Sequence, residues 1–205
     1  MSSHISSDTS APRSETSPSD HLRIRDAEAA DTMTVAGLHS ESWQSAYRGL
    51  ASDSYLDGPL AGEHRKRWQG LLGDNPEDAV EKATRPAGFI RLAEQDGALV
   101  GFIALWVNYK EGYDAYVENL HVRPGLRGGG IGRRLLQDAA SCAAAQGCRN
   151  LSLEVLEDNA GAVRFYERLG AASKETAQEM LGDRLLDYRL MVWDDITKLT
   201  SPESS

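Results

Sequence analysis

Between residues 118 and 132 the chain reads ENLHVRPGLRGGGIG, a strand that passes through a glycine-rich turn into a helix. A junction of this kind suits a phosphate. Gly128, Gly129, Gly130 and Gly132 let the main chain approach an anion without side-chain interference, and the first helical turn aims unpaired amides and its positive dipole end at the same point. Arg123, Arg127, Arg133 and Arg134 crowd the junction in a chain whose formal net charge is -9, which matches a local polyanion and not a general steering field. Rival phosphate motifs fit poorly. No Lys-Ser or Lys-Thr follows the glycines as a P-loop requires, and counting from Gly130 and Gly132 puts Leu135 where a dinucleotide fingerprint needs its third glycine. A glycine loop of purely structural use is the remaining alternative.

A second stretch, LSLEVLEDNAGAVRFYERLG at 151–170, runs from an alternating strand into a helix that Asn159 can cap. Ala162, Phe165, Tyr166 and Leu169 share one face of that helix, and Gly170 is placed to end it. Glu118 and Glu154 offer strand carboxylates and Tyr166 a phenol. Each also has a plainer reading, as a solvated or ion-paired carboxylate and a packed aromatic ring.

The elements that must position these groups follow from changes in periodicity. Leu22 and Ile24 alternate with arginines as a short strand, after which Asp31 can cap a helix carrying Val35, Leu38 and Ser42. A second helix is expected from about Ser52, with Leu56, Leu60, His64 and Trp68 at four-residue spacing. Strands at 89–93 and 98–107 are joined by Asp96-Gly97, a dipeptide that favours a tight hairpin, and a third antiparallel strand follows at 113–122. A helix from Ile131 carries Leu135, Ala139 and Ala143, and after the 151–170 segment two strands, 173–180 and 185–193, flank a turn at Gly182-Asp183. The expected order is strand, two helices, three strands, helix, strand, helix, two strands.

Hydrophobic residues form 40% of the chain and charged residues 26%, which is the balance of a globular domain. Its length suits one domain at 21–196, between a disordered Ser/Thr-rich tail at 1–20 and a mobile tail at 197–205. The acidic charge argues against a nucleic-acid or anionic-membrane surface. Cys142 and Cys148 form no metal-binding pattern and read as thiols in a reducing compartment. The longest apolar run is too short to span a bilayer and no signal peptide is visible, so a cytoplasmic protein is expected.

Arg127-x-x-Gly130-x-Gly132, behind a strand ending Leu120-His121-Val122, resembles the acetyl-CoA-binding motif of the GNAT superfamily of N-acetyltransferases, and 151–170 resembles that superfamily's second motif. The 153–170 stretch is most similar to ribosomal-protein N-terminal acetyltransferases, and also occurs in small-molecule enzymes. The resemblance implies an α/β (α+β) GNAT fold: a mixed, mostly antiparallel sheet of six to seven strands with helices on both faces. It implies acetyl-CoA as cosubstrate and no metal. Backbone groups of Leu120 and Val122 would pair with the pantetheine arm and the thioester carbonyl. Arg127, Gly128, Gly129, Gly130, Ile131, Gly132 and Arg133 would hold the pyrophosphate, and Asn159 would touch the pantetheine. His121, Ala162 and Phe165 complete the expected cofactor-binding set, with Tyr166 near the sulfur. Ala171 departs from the pattern, replacing a phenylalanine that commonly follows Gly170.

Acyl transfer to an amine needs a base, because a free alkyl ammonium has a pKa of about 10. Glu118 or Glu154, acting through water, is the expected base, and in a regular strand Glu118 shares a face with Leu120 and Val122. The Val122 amide is placed to meet charge on the carbonyl oxygen, and Tyr166 to protonate a thiolate whose pKa is about 8.5 by analogy with cysteine. His121 is expected to face outward. Trp43, Tyr47, Arg48, Tyr55 and Trp68 lie in the acceptor-side region and are taken as core. The expected acceptor is a small-molecule amine; a protein N-terminus or lysine is the alternative, and a CoA-binding module without turnover is the alternative of another class. The resemblance also allows a homodimer.

Overall fold

The computed structural model describes residues 22–74, 87–181 and 184–200. The expected N-terminal tail, the turn at Gly182-Asp183 and the last five residues lie outside them.

Among the described residues seven strands form one sheet in the order β1-β2-β3-β4-β5-β7-β6. β1 is Arg23–Asp26, β2 Gly88–Gln95, β3 Ala98–Val107, β4 Ala115–Val122, β5 Leu151–Leu156, β6 Ala172–Leu181 and β7 Arg184–Trp193. Every pairing is antiparallel except β4 with β5. The β2–β3 hairpin turns where expected, with Asp96 and Gly97 both at positive φ.

The helices are α1 (Thr32–Tyr47), α2 (Asp53–Leu56), α3 (Leu60–Leu72), α4 (Ile131–Ala145), α5 (Ala160–Arg168) and α6 (Thr197–Thr200). The second helix expected from the sequence is two helices, because Gly58-Pro59 breaks the stripe between Leu56 and Leu60; both leucines are still fully buried. Asp31 stands at the start of α1, but its carboxylate accepts from Glu28 N (2.8 Å) and pairs with Arg25 instead of capping the helix. The packed chain runs past the expected boundary at 196, since α6 buries Leu199 against the α4 side of the sheet.

β3 explains the layering. Its ten residues are apolar or glycine, and alternate side chains serve opposite faces. Ile103 and Leu105 join Leu135, Leu136, Ala139, Leu153 and Trp193 in a core under α4 and α5, whereas Phe102, Ala104 and Trp106 join Val35, Leu38 and Trp68 under α1 and α3. Helices therefore cover both faces, as the mixed-sheet reading requires. Gly101 lets α4 sit close, for an added Cβ would lie 2.9 Å from the His121 carbonyl and 3.0 Å from Leu135 Cδ1.

Two irregularities in β4 shape the site. Ala104 pairs with Asn119 but Leu105 pairs with Val117, so Glu118 is an extra, bulged residue. Pairing of β4 with β5 covers only Ala115 to Val117 against Leu151 to Leu153, and from there the two strands diverge.

Candidate active site

The bulge reverses the side-chain alternation within β4. Val117, Leu120 and Val122 all pack toward the α4 side, while Glu118 turns to the other side with Trp106. The expectation that Glu118 shares a face with Leu120 and Val122 is thereby corrected. Its carboxylate accepts from Trp106 Nε1 (2.8 Å) and Asn119 Nδ2 (3.3 Å) and is paired with Arg67 of α3. Glu154 of β5 is paired with Lys110 and accepts from the Tyr116 hydroxyl at 3.2 Å. Both glutamates line one cleft of about 540 Å³, together with Tyr109, Lys110, Glu111, Tyr116 and Glu179. Burial, then the Glu154 charge, holds the Tyr116 phenol far above its ordinary value, so it donates and does not ionise.

At the far end of β4 the Arg123 amide donates to the Val100 carbonyl across the β3 edge (2.8 Å). Strand alternation therefore turns the Val122 amide, one residue back, to the opposite edge, where β5 has already diverged. The glycine turn lies just beyond. Gly125, Gly128 and Gly130 adopt positive φ, with Gly130 forming the N-cap of α4, and an added Cβ at Gly128 or Gly130 would meet no atom within 4 Å. These two glycines are required by conformation and border open space. The first bond of the α4 ladder runs from Arg134 N to the Gly130 carbonyl (3.0 Å), so the amides of Ile131 and Gly132 precede it.

The four arginines of the junction do not all converge on that space. Arg123 donates to the Leu99 carbonyl (2.9 Å) and to Glu41 (3.1 Å), and Arg134 to the Leu22 carbonyl (3.0 Å). Both brace the loop against the fold. Arg127 reaches α1, donating to Ser42 O and Oγ at 3.4 Å.

α5 forms the opposite wall. Asn159 caps it as expected, its Oδ1 accepting from Ala162 N at 3.1 Å. Gly132 lies where its missing Cβ would touch Val122 Cγ2 (3.5 Å) and Phe165 Cζ (3.6 Å), which brings the end of β4, the start of α4 and α5 together. Beside Phe165, Tyr166 is 8% exposed and stands edge-on to Phe165 and Trp193. Burial, with Tyr47 adding to it, pushes its phenol well above the ordinary value, so Tyr166 carries its proton at any working pH. It is not among the residues that line the carboxylate cleft.

His121 departs from expectation, because its ring faces inward. Its Nδ1 meets Ser42 Oγ at 3.0 Å, and its ring lies 4.6 Å from His39, which stacks on His64 at 3.6 Å. Trp68 donates to His39 Nδ1 (3.1 Å), so His39 carries its proton on Nε2 and is neutral. Ser40 spends its hydroxyl proton on the Ala36 carbonyl (3.0 Å), so its contact with His64 Nδ1 is His64 donating. Burial holds all three below the ordinary histidine value, His64 to about 4 and His121 to about 3. Among the described residues no group of His, Cys, Asp or Glu is arranged to hold a metal ion.

Sequence reasoning passed over Tyr116, Trp106, Arg67 and Lys110. The Trp106–Tyr116 pair was accessible from the β3–β4 hairpin register; the contact of Arg67 with Glu118 depends on the bulge, which leaves no sequence signal.

The profile of the Acetyltransferase (GNAT) family matches residues 45–171. The chain belongs to that family. It is 35% identical to a mycothiol acetyltransferase of Streptomyces avermitilis over 156 residues, 76% of this chain and 48% of that one. It is also 36% identical to a streptothricin acetyltransferase of Streptomyces lavendulae over 105 residues, 49% of this chain and 52% of the relative. The chain thus spans about half the length of these curated relatives. The fold is shared with a PaiA N-acetyltransferase of Thermoplasma acidophilum crystallised with coenzyme A, at a TM-score of 0.64, 23% identity and coverage of 83% and 97%.

Proposed function

We propose that the chain is an acetyl-CoA-dependent N-acetyltransferase acting on a primary amine of a small molecule. One observation carries this reading: β4 leaves β5 after Val117 and presents the Val122 amide at an edge that ends beside open space at the α4 N-terminus. An extended pantetheine arm fits that edge as an added strand, with its pyrophosphate over the amides that open α4. The relatives named as acetyltransferases support the same chemistry.

In this reading the turn from Arg127 to Arg133 holds the pyrophosphate, with the amides contributing more than the guanidinium groups because two of the four arginines brace the fold. Leu120, His121 and Val122 supply main chain along the arm, while Asn159, Ala162 and Phe165 form the far wall. Acetyl-CoA, when bound, would supply the acyl group as an activated thioester. The Val122 amide meets the negative charge that develops on the carbonyl oxygen. Glu118 or Glu154 takes the ammonium proton through water, and each is already oriented, by Trp106 and by Tyr116. Tyr166 gives its proton to the departing sulfur and regains one from the nitrogen, which sheds its second proton as the amide forms. Although its phenol is a weaker acid than in water, a thiolate leaving into the same buried wall gains proton affinity for the same reason.

Release of free thiol from acetyl-CoA, measured across a panel of small amines and basic peptides, tests the proposal. Turnover with a small amine is expected. Binding of acetyl-CoA without thiol release from any acceptor would leave a non-catalytic CoA-binding module.

A further inference from the structure

The carboxylate cleft already contains an ammonium group. Lys110, in the β3–β4 loop, extends its Nζ to Glu154 and holds it 5.5 Å from the centroid of the Tyr116 ring. Tyr109 lies nearly parallel to Tyr116 at 5.6 Å, and the Tyr116 hydroxyl fixes the second oxygen of Glu154. A carboxylate beside an aromatic face is the arrangement that recognises an alkylammonium. The loop does not need the lysine head group for its shape, since Asn108 N bonds to the Asp114 carbonyl (2.9 Å) and Tyr113 N to the Lys110 carbonyl (3.1 Å).

We propose that the Glu154–Tyr116 cradle is the docking site for an ammonium group of the acceptor, and that Lys110 is its tethered competitor in the free protein. This rests on the acetyltransferase reading and narrows its substrate. Once Lys110 is displaced, the lining carboxylates are Glu111, Glu118, Glu154 and Glu179, and among them Glu118 is paired with Arg67. Such a wall attracts a second positive charge and repels a carboxylate next to the amine. The acceptor class is an alkyl diamine, ahead of a monoamine and well ahead of an amino acid zwitterion.

Calorimetric titration of the full chain without acetyl-CoA tests this, with putrescine as diamine, butylamine as monoamine and β-alanine as zwitterion. Putrescine is expected to bind more tightly than butylamine, and β-alanine to give no heat. Lys110→Met should tighten putrescine binding about fivefold, the worth of a partly exposed ion pair with a cation–π contact, and Lys110→Arg should restore the wild-type value. Lys110→Gln, checked by circular dichroism, repeats the test with a second uncharged side chain. Unchanged or weaker putrescine binding in both uncharged variants would overturn the competitor, and β-alanine binding as tightly as putrescine would overturn the acceptor class. The titration needs no turnover. Diamine binding without thiol release would count against the acetyltransferase reading alone, and thiol release with no effect of Lys110 would count against this proposal alone.

Discussion

Lowering the pH from about 7.5 to about 5 should remove several kcal/mol of stability, and the buried histidines set the size of the loss. His39, His64 and His121 lie in contact, and in the fold all three titrate below their ordinary value of 6.5, His64 at about 4 and His121 at about 3. Arg67 and Arg127 add to the effect of burial. Because the folded values are depressed, the unfolded chain binds protons first. The stabilisation is complete above pH 6.5 and is lost as the pH falls toward the folded values. At pH about 5 the gap from the ordinary value of 6.5 caps the stability lost at any one histidine at ~2 kcal/mol, and halving the sum of these ceilings for their mutual contact leaves ~3 kcal/mol. Protonating His39 would also set an N–H against Trp68 Nε1, which now donates to it. Against a total of about 5–15 kcal/mol this is a large fraction. Asp31 and Asp114, whose partners hold them below 3.8, titrate beneath this window. Urea unfolding followed by tryptophan emission is a suitable assay, because Trp68 and Trp43 touch the cluster. With a urea slope of about 2 kcal/mol/M the midpoint should fall by about 1.5 M. His64→Gln, which keeps a donor for Ser40 and cannot titrate, should lose about one third less. A midpoint shift below about 0.5 M in the wild type, or an equal shift in the variant, would refute the reasoning.

Tyr166→Phe should lower turnover by about 10²-fold or more with acetyl-CoA affinity within about twofold, as steady-state kinetics and titration would show. Gly130→Asp places a side chain at φ 82 and a negative charge beside the α4 amides, so acetyl-CoA affinity should fall at least about tenfold by calorimetry. Gly101→Val forces a Cβ against the His121 carbonyl and Leu135, which should cost about 1–3 kcal/mol and lower the thermal midpoint by roughly 3 °C or more.

Most of the fold was legible because its signals are local. β3 is a continuous apolar run, Asp96-Gly97 turns as such dipeptides do, and Asn159 caps α5. The sheet order was less so, since β7 inserts between β5 and β6 through long-range pairing that periodicity does not encode. The glycine turn at α4 was visible for a similar local reason, as glycine alone accepts φ near 80–90° without strain. What could not be read was the side that Glu118 faces. A single bulged residue reverses the alternation on which that expectation rested, and it carries Glu118 to Trp106 and Arg67. His121 was misplaced for a different reason: it lies on the face opposite Leu120 and Val122, and α1 covers that face too, bringing Ser42 and His39 against its ring through packing that exists only in the tertiary structure. The arginines illustrate the reverse case: their charge was plain, but the carbonyls of Leu99 and Leu22 that claim Arg123 and Arg134 are far away in sequence.

Amide hydrogen exchange with and without acetyl-CoA reports most directly on whether the β4 edge and the α4 N-terminus form one binding surface. Slowed exchange at Leu120, Val122, Ile131 and Gly132, with no change along β6, is the expected result. Unchanged exchange at those four amides in saturating acetyl-CoA would contradict the assignment.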